Sequence, residues 1–320
     1  MRDTDKVMEA FYFFCHQAGP LRCALHAATP DKIRKRLADL FAQIRRSPVL
    51  VSFSPSETGP RMPELVTYSR IKRMLSTALY QPIYRFQRVA SVLAALEQGD
   101  GRPYYAYTSL EKPDSTLFCS AETIPSGPGP DEDTPDGFAA VMCSDGEPFR
   151  YTPADYEAYA LAVQNLSTVV GGEQATTRLS CAGRVIRPKW RFAGPFGGNT
   201  SFPILFINNI ADNVTPLVSA RNNSAAFHGS VVLVQNSYGH TSLAAASSCT
   251  ARAVRSYFRE GVMPAEGTVC EADGMPFGEA AFPAQDYPDA DAGAEADVNG
   301  LTRTVKRLSR EAGWGVGFAT

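Results

Sequence analysis

Residues 203–216 read PILFINNIADNVTP, and residues 230–243 read SVVLVQNSYGHTSL. Each stretch opens on apolar and β-branched residues and closes on turn formers, as a buried strand does before a loop. The first stretch leads into PLVSARNNSAAF, which reads as a helix, and the second into TSLAAASSCTARAVRSYF, which also reads as a helix. Upstream, GFAAVMC at 137–143 is a third short apolar run flanked by turn residues, consistent with a buried strand. It is followed by TPADYEAYALAVQNLSTVV, a helix with Thr152 as its cap. Three strand–helix units in a row predict the α/β class, with a parallel sheet covered on its faces.

Toward the N-terminus the pattern is helical. Asp3 to Cys15 is apolar and aromatic on one side. Thr29-Pro30 reads as an N-cap followed by proline at the first helical position, opening a helix in which Ile33, Leu37, Leu40, Phe41 and Ile44 recur at helical spacing. Pro48 ends it, and SPVLVSF and PELVTY form a short extended pair or lead-in. Two further helices, Arg70 to Tyr80 and Ile83 to Gln98, meet at Gln81-Pro82, and Gly99-Asp100-Gly101 stops the second. Residues 121–137 are rich in Pro, Gly and acid and read as a loop or linker; 283–300 read as an acidic linker, with a last short helix at LTRTVKRLSREAGW. These shifts divide the chain into a helical region over 1–135, an α/β region over 136–275 and a linker and tail over 276–320.

Composition limits the function classes. With 320 residues, 44% of them apolar, the chain can bury a core of its own. Its 31 Lys and Arg against 33 Asp and Glu leave a net charge of -2, so nothing draws it to nucleic acid or to an anionic membrane. No apolar run approaches the roughly 18 residues of a membrane span. The seven cysteines form no CxxC pair and histidines number four, so neither a metal nor another cofactor is expected. Sequons stand at Asn165, Asn199, Asn213 and Asn222. With the cysteines they suggest descent from a secreted, oxidised protein. MRDTDKVMEA nevertheless holds no apolar signal-peptide region, which leaves a cytoplasmic location by default and the expectation that a natural front end is missing.

Asp212 and His240 carry the chemistry. Each lies just past a predicted strand, 28 residues apart, which one strand–helix–strand unit accounts for. In open α/β sheets the C-terminal strand ends are where ligands and catalytic groups gather. Side by side, the carboxylate would hold the imidazole through Nδ1–H, and Nε2 would act as a base. The competing reading is structural: Asp212 as a cap in a D-x-x-T-P stretch, and His240 as a plain loop residue.

IADNVTPLVSAR, NSYGHTSL and SSCTARAVRSYFREGVMPAEGTVCEAD together resemble the C-terminal segment of the tripeptidyl-aminopeptidase-like serine hydrolases, α/β-hydrolases related to prolyl aminopeptidases. VMCSDG and CAGRVIRPKWRFAGPF are similar to sequences just upstream in that family, and FYFFCHQAGPLRCAL with the helices to about residue 100 resembles its helical cap. The resemblance covers roughly residues 1 to 275. It implies a partial α/β-hydrolase sheet with a helical cap and a triad in chain order Ser, Asp, His. Its second and third members would be Asp212 and His240, and its substrate a peptide or a small-molecule ester or amide. It also implies disulfides Cys15–Cys23, Cys143–Cys181 and Cys249–Cys270, with Cys119 left free; the residues alone equally permit buried thiols.

The departures matter as much. No G-x-S-x-G nucleophile elbow occurs, nor an HG-type oxyanion segment. Ser144 follows a predicted strand and precedes Asp212, but Met142 stands where an elbow needs a small residue, and the family does not use that serine. Asn213 replaces the proline usual after the acid. The expectation is a serine-hydrolase chain without its nucleophile half. The alternatives are a catalytically inactive binding remnant or one half of a split enzyme whose elbow sits on a separate chain. An open sheet edge and poor solubility would follow. Phe11, Tyr12, Phe13 and Phe14 read as core or as the lining of a cleft, the basic run Arg34, Lys35, Arg36, Arg45 and Arg46 as a solvated helix face, and Trp190 as a brace for the sheet edge.

Overall fold

A computed structural model of the chain describes residues 2–53, 63–109, 135–278, 304, 307 and 308. Cys119, the 283–300 linker and nearly all of the 121–137 loop and the last expected helix lie outside them.

The N-terminal layer is built from α1 (Thr4–Ala18), α2 (Pro30–Arg46), α3 (Tyr68–Ala78), α4 (Pro82–Glu97) and α5 (Arg102–Ser109). Thr29 caps α2 as expected, its hydroxyl accepting from the Lys32 N–H. Ile33, Leu37, Leu40 and Ile44 turn one face inward. At about 1.5–3 kcal/mol for each large apolar side chain removed from water, that face contributes roughly 6–12 kcal/mol before chain entropy is charged against it. Pro82 opens α4, which buries Phe86, Val89, Leu93 and Leu96. The extended pair is a two-stranded antiparallel ribbon, β1 (Val49–Val51) with β2 (Glu64–Val66). Phe11 and Tyr12 are core residues, Phe11 meeting Phe86 edge to face with centroids 5.0 Å apart, whereas Phe13 faces solvent. The basic run lies on a solvated face, with Arg34, Lys35, Arg45 and Arg46 exposed and only Arg36 half-buried. Arg36 bridges to Glu97 on α4 and to the His26 carbonyl, Arg34 pairs with Glu9, and Arg45 lies 4.0 Å above the Tyr68 ring.

The α/β part holds two strand–helix units where three were expected. Residues 137–143 are helical, forming α6 (Pro135–Asp145). A short apolar run cannot be told from a helical segment by its length alone. Here Ala139 and Cys143, four apart, are buried while Phe138 and Val141 are exposed, which is the period of a helix. Ser144 therefore stands in the last turn of a helix and follows no strand. Next come α7 (Pro153–Leu166), opened by a capping box between Thr152 and Asp155, and α8 (Gly171–Leu179). The sheet comprises β3 (Leu205–Ala211), β4 (Val231–Tyr238) and β5 (Val269–Glu271), side by side and parallel, with α9 (Leu217–Ser224) and α10 (Ser248–Glu260) in the crossovers. The helix expected from Thr241 breaks into a 3-10 turn, Ser242–Ala244, and then α10. The Gln235 amide draws the Ser242 and Ala245 carbonyls to itself, and Ser247 caps the new start. Among the described residues the outer edge of β3 pairs with no strand. Trp190 does not brace it: the indole is 75% exposed and leans on Phe192.

The implied disulfides are formed: Cys15–Cys23, Cys143–Cys181 and Cys249–Cys270. Helical layer and sheet share one core, in which Phe277, just past β5, packs against Phe11 and Phe86. Phe14 meets Tyr238 at the end of β4, and the Thr4 hydroxyl donates to the Asn213 carbonyl at 3.0 Å. Among the described residues no helix is long and apolar enough to cross a membrane.

Candidate functional site

β3 and β4 end level with one another, so the loops leaving them run together. Asp212 is the first residue after β3 and His240 the second after β4. The His240 Nδ1 lies 3.1 Å from both carboxylate oxygens of Asp212. Facing a carboxylate that accepts, Nδ1 carries the hydrogen, and in that tautomer Nε2 is the nitrogen with the free lone pair. The imidazole keeps 16% of its surface in solvent, whereas the carboxylate keeps 1%.

Burying a carboxylate is costly unless its oxygens are satisfied. Oδ1 accepts from the N–H groups of Val214 and Thr215, at 2.7 and 2.8 Å. Oδ2 accepts from the Thr215 hydroxyl and the Thr241 N–H, both at 2.9 Å. Burial by itself would push the Asp212 carboxyl up; the hydrogen bonds from His240, Thr241, Thr215 and Val214 overcome it and hold the group below its ordinary 3.8. The side chain caps the D-x-x-T turn and orients the histidine at the same time.

A second tier of polar residues, buried beneath the loops, fixes their paths. The Asn209 side-chain amide donates to the carbonyls of Gly239 and Thr241 at 2.8 and 2.7 Å. Its own oxygen accepts from the Ser237 hydroxyl at 2.8 Å, and Ser237 accepts from Gln235 at 3.0 Å. Thr241 sits at φ 63, a region that costs a non-glycine residue about 1–3 kcal/mol. The three bonds made by its N–H, its carbonyl and its hydroxyl, the last accepting from Leu243, hold it there. None of these supports was singled out in the sequence. The signal was present in INN and VQNS, polar side chains inside strands that ought to be wholly apolar.

The third wall comes from the helical layer. The His240 N–H donates to the Tyr80 carbonyl at 2.9 Å, and the Tyr80 and His240 rings meet nearly perpendicular, centroids 5.4 Å apart.

Ser144 is elsewhere. It helps line a cleft of about 320 Å³ with Ala140, Cys143 and residues 183–186, and neither Asp212 nor His240 borders that cleft. Of the sequons, Asn165, Asn199 and Asn222 are exposed, whereas Asn213 is buried at 7% exposure and closed to a glycan in the folded chain. Among the described residues no cluster of three or more His, Cys, Asp or Glu side chains could hold a metal ion.

A parallel sheet whose neighbouring strand ends present a carboxylate and an imidazole in contact is the arrangement of an α/β-hydrolase C-terminal region. An α/β-hydrolase family model, described as TAP-like protein, matches residues 167–270, a span that includes Asp212, His240 and the Cys249–Cys270 bridge. The match supports a hydrolase of that superfamily over this region. A comparison with curated proteins finds no match.

Proposed function

We propose that this chain supplies the acid–base half of a serine hydrolase that cleaves an amide or ester bond, in the manner of the tripeptidyl-aminopeptidase-like enzymes. His240 is the base that takes the proton of an attacking hydroxyl and returns it to the leaving group. Asp212 holds the imidazole in its productive tautomer and stabilises the imidazolium while it exists. The nucleophile comes from outside these 320 residues, on a further stretch of polypeptide or on a separate chain. The helical layer, which meets His240 through Tyr80, acts as the cap.

The observation that carries this reading is the double contact of Nδ1 with a carboxylate already satisfied by three backbone N–H groups and a hydroxyl. A residue acting only as a turn cap needs no histidine. Among the described residues the outer edge of β3 pairs with no strand, which supports the second part, because an added strand there would lie alongside the Asp212 loop.

The test is a serine-directed fluorophosphonate, applied to this chain alone and to the chain extended by the coding sequence upstream of Met1. Labelling of a serine in the extension, slowed by a factor of about a thousand or more in H240A, supports the proposal. Labelling of Ser144 in the chain alone would overturn the assignment of the nucleophile. Labelling of the extension with no dependence on His240 would overturn the role of the pair.

A further inference from the structure

We infer that Tyr80, in the turn between α3 and α4, is a positioning residue for His240, so that the pair is set by the helical layer as well as by the sheet. The inference rests on the reading of Asp212 and His240 as an acid–base pair.

Three independent contacts converge on this turn. The His240 N–H donates to the Tyr80 carbonyl, which fixes the backbone from which the imidazole projects. The Tyr80 ring meets the imidazole edge to face, at an interplanar angle of 83° with centroids 5.4 Å apart, a contact that opposes rotation about χ2. Gly239, immediately before the histidine, is pressed against the same turn. A Cβ built on it would come within 2.6 Å of both the Tyr80 carbonyl oxygen and the Pro82 Cδ, and its φ of +106 is one that side chains rarely adopt. No larger residue fits at 239 without driving the turn away from the histidine.

The turn is itself held in the core. Leu79 and Ala78 on one side and Pro82 and Phe86 on the other are buried. A displacement of the helical layer would therefore carry Tyr80 with it and release the ring. Burial, and after it the negative charge of Asp212, push the Tyr80 phenol up, in keeping with a neutral ring set close to the carboxylate. The sheet holds the imidazole through Asp212, and the helical layer adds a second support through Tyr80. Tyr80 need not touch the bond being cleaved to act in this way.

The experiment is proton NMR of the full chain, reading the low-field signal of the His240 Nδ1–H and its rate of exchange with solvent. Wild type and Y80F, which keeps the ring, are expected to show the signal with similar exchange. Y80A and Y80L are expected to lose it, or to exchange about tenfold faster or more, while the melting transition of the fold survives. Y80L is included because it refills the apolar volume should Y80A fail to fold. A signal in Y80L that exchanges like wild type would overturn the positioning role and leave the pair standing. If wild type shows no such signal, or D212N retains it, the pair itself falls and the role of Tyr80 with it.

Discussion

Replacing Asp212 by Asn keeps the shape of the site and removes its charge, and the consequences can be worked out bond by bond. The carboxylate accepts from Val214, from Thr215 twice, from Thr241 and from His240. An amide oxygen in the Oδ1 position retains the Val214 and Thr215 N–H groups. The NH2 in the Oδ2 position then faces the Thr241 N–H, a donor against a donor. The Thr215 hydroxyl can rotate to accept, and the imidazole can switch to the tautomer in which Nδ1 accepts. The Thr241 N–H cannot adapt, because its backbone is held at φ 63. One orphaned buried donor costs about 1–3 kcal/mol, and exchanging charged for neutral acceptors at the surviving bonds adds roughly another 1. D212N should therefore lose about 2–4 kcal/mol, which is a fall of roughly 1 M in the urea midpoint for a chain whose slope is about 2–3 kcal/mol per molar. The pH dependence has a definite sign. The folded carboxyl titrates below 3.8, so its contribution is complete above that pH and fades as pH falls through the lower folded value. The gap between wild type and D212N should be widest near neutrality and close in acid. Once a nucleophile is supplied, the wrong tautomer should cost about 10⁴ in turnover. An unchanged midpoint at neutral pH, or a gap that widens on acidification, would refute the account of how Asp212 is held.

Three further perturbations test the same contacts and the core behind them. G239A places a Cβ against the Tyr80 carbonyl and Pro82 at a φ of +106, and should cost at least about 2 kcal/mol in urea unfolding while displacing the α3–α4 turn, seen as shifted Tyr80 and His240 ring resonances. C249A/C270A frees β5 from α10 by opening a closure of 21 residues, worth about 3 kcal/mol, and should lower the melting temperature under non-reducing conditions while leaving no difference from wild type once both are reduced. F11A empties a fully buried ring site between Phe86 and Phe277 and should cost about 3–5 kcal/mol; a loss below about 1 kcal/mol would mean that the segment after β5 is not packed on α1 and α4.

The sequence exposes what depends on periodicity and hides what depends on contact. The helices α1 to α4 and α7, and the strands β3 and β4, are legible because their apolar residues repeat over at least two turns or a full strand. Residues 137–143 mislead because seven residues are too few to separate period two from period four; the burial of Ala139 and Cys143 decides it. The strand β5 escapes notice because it spans only Val269–Glu271 and is held largely by the Cys249–Cys270 bridge and by one partner strand. Asp212 and His240 stand out because both follow long apolar runs. Tyr80 does not: it lies 160 residues from His240 in the chain, and no local pattern marks a residue whose role is a carbonyl and a ring edge offered to another element.

The pair is held by groups that have other structural duties. Thr215 and Val214 bind the carboxylate because they form the turn into α9, and Thr241 binds it because Asn209 and the 3-10 turn pin its backbone. Removing the histidine would leave the carboxylate with all four of its other hydrogen bonds, so the turn would survive. Exchanging the carboxylate for an amide would strip the Thr241 loop of the acceptor that joins it to the Asp212 turn. The two substitutions should therefore separate. H240A should unfold in urea close to wild type, whereas D212N should not. If Asp212 were present only to serve the imidazole, the two variants would instead be equally stable, and the turn around Asp212 would loosen in both.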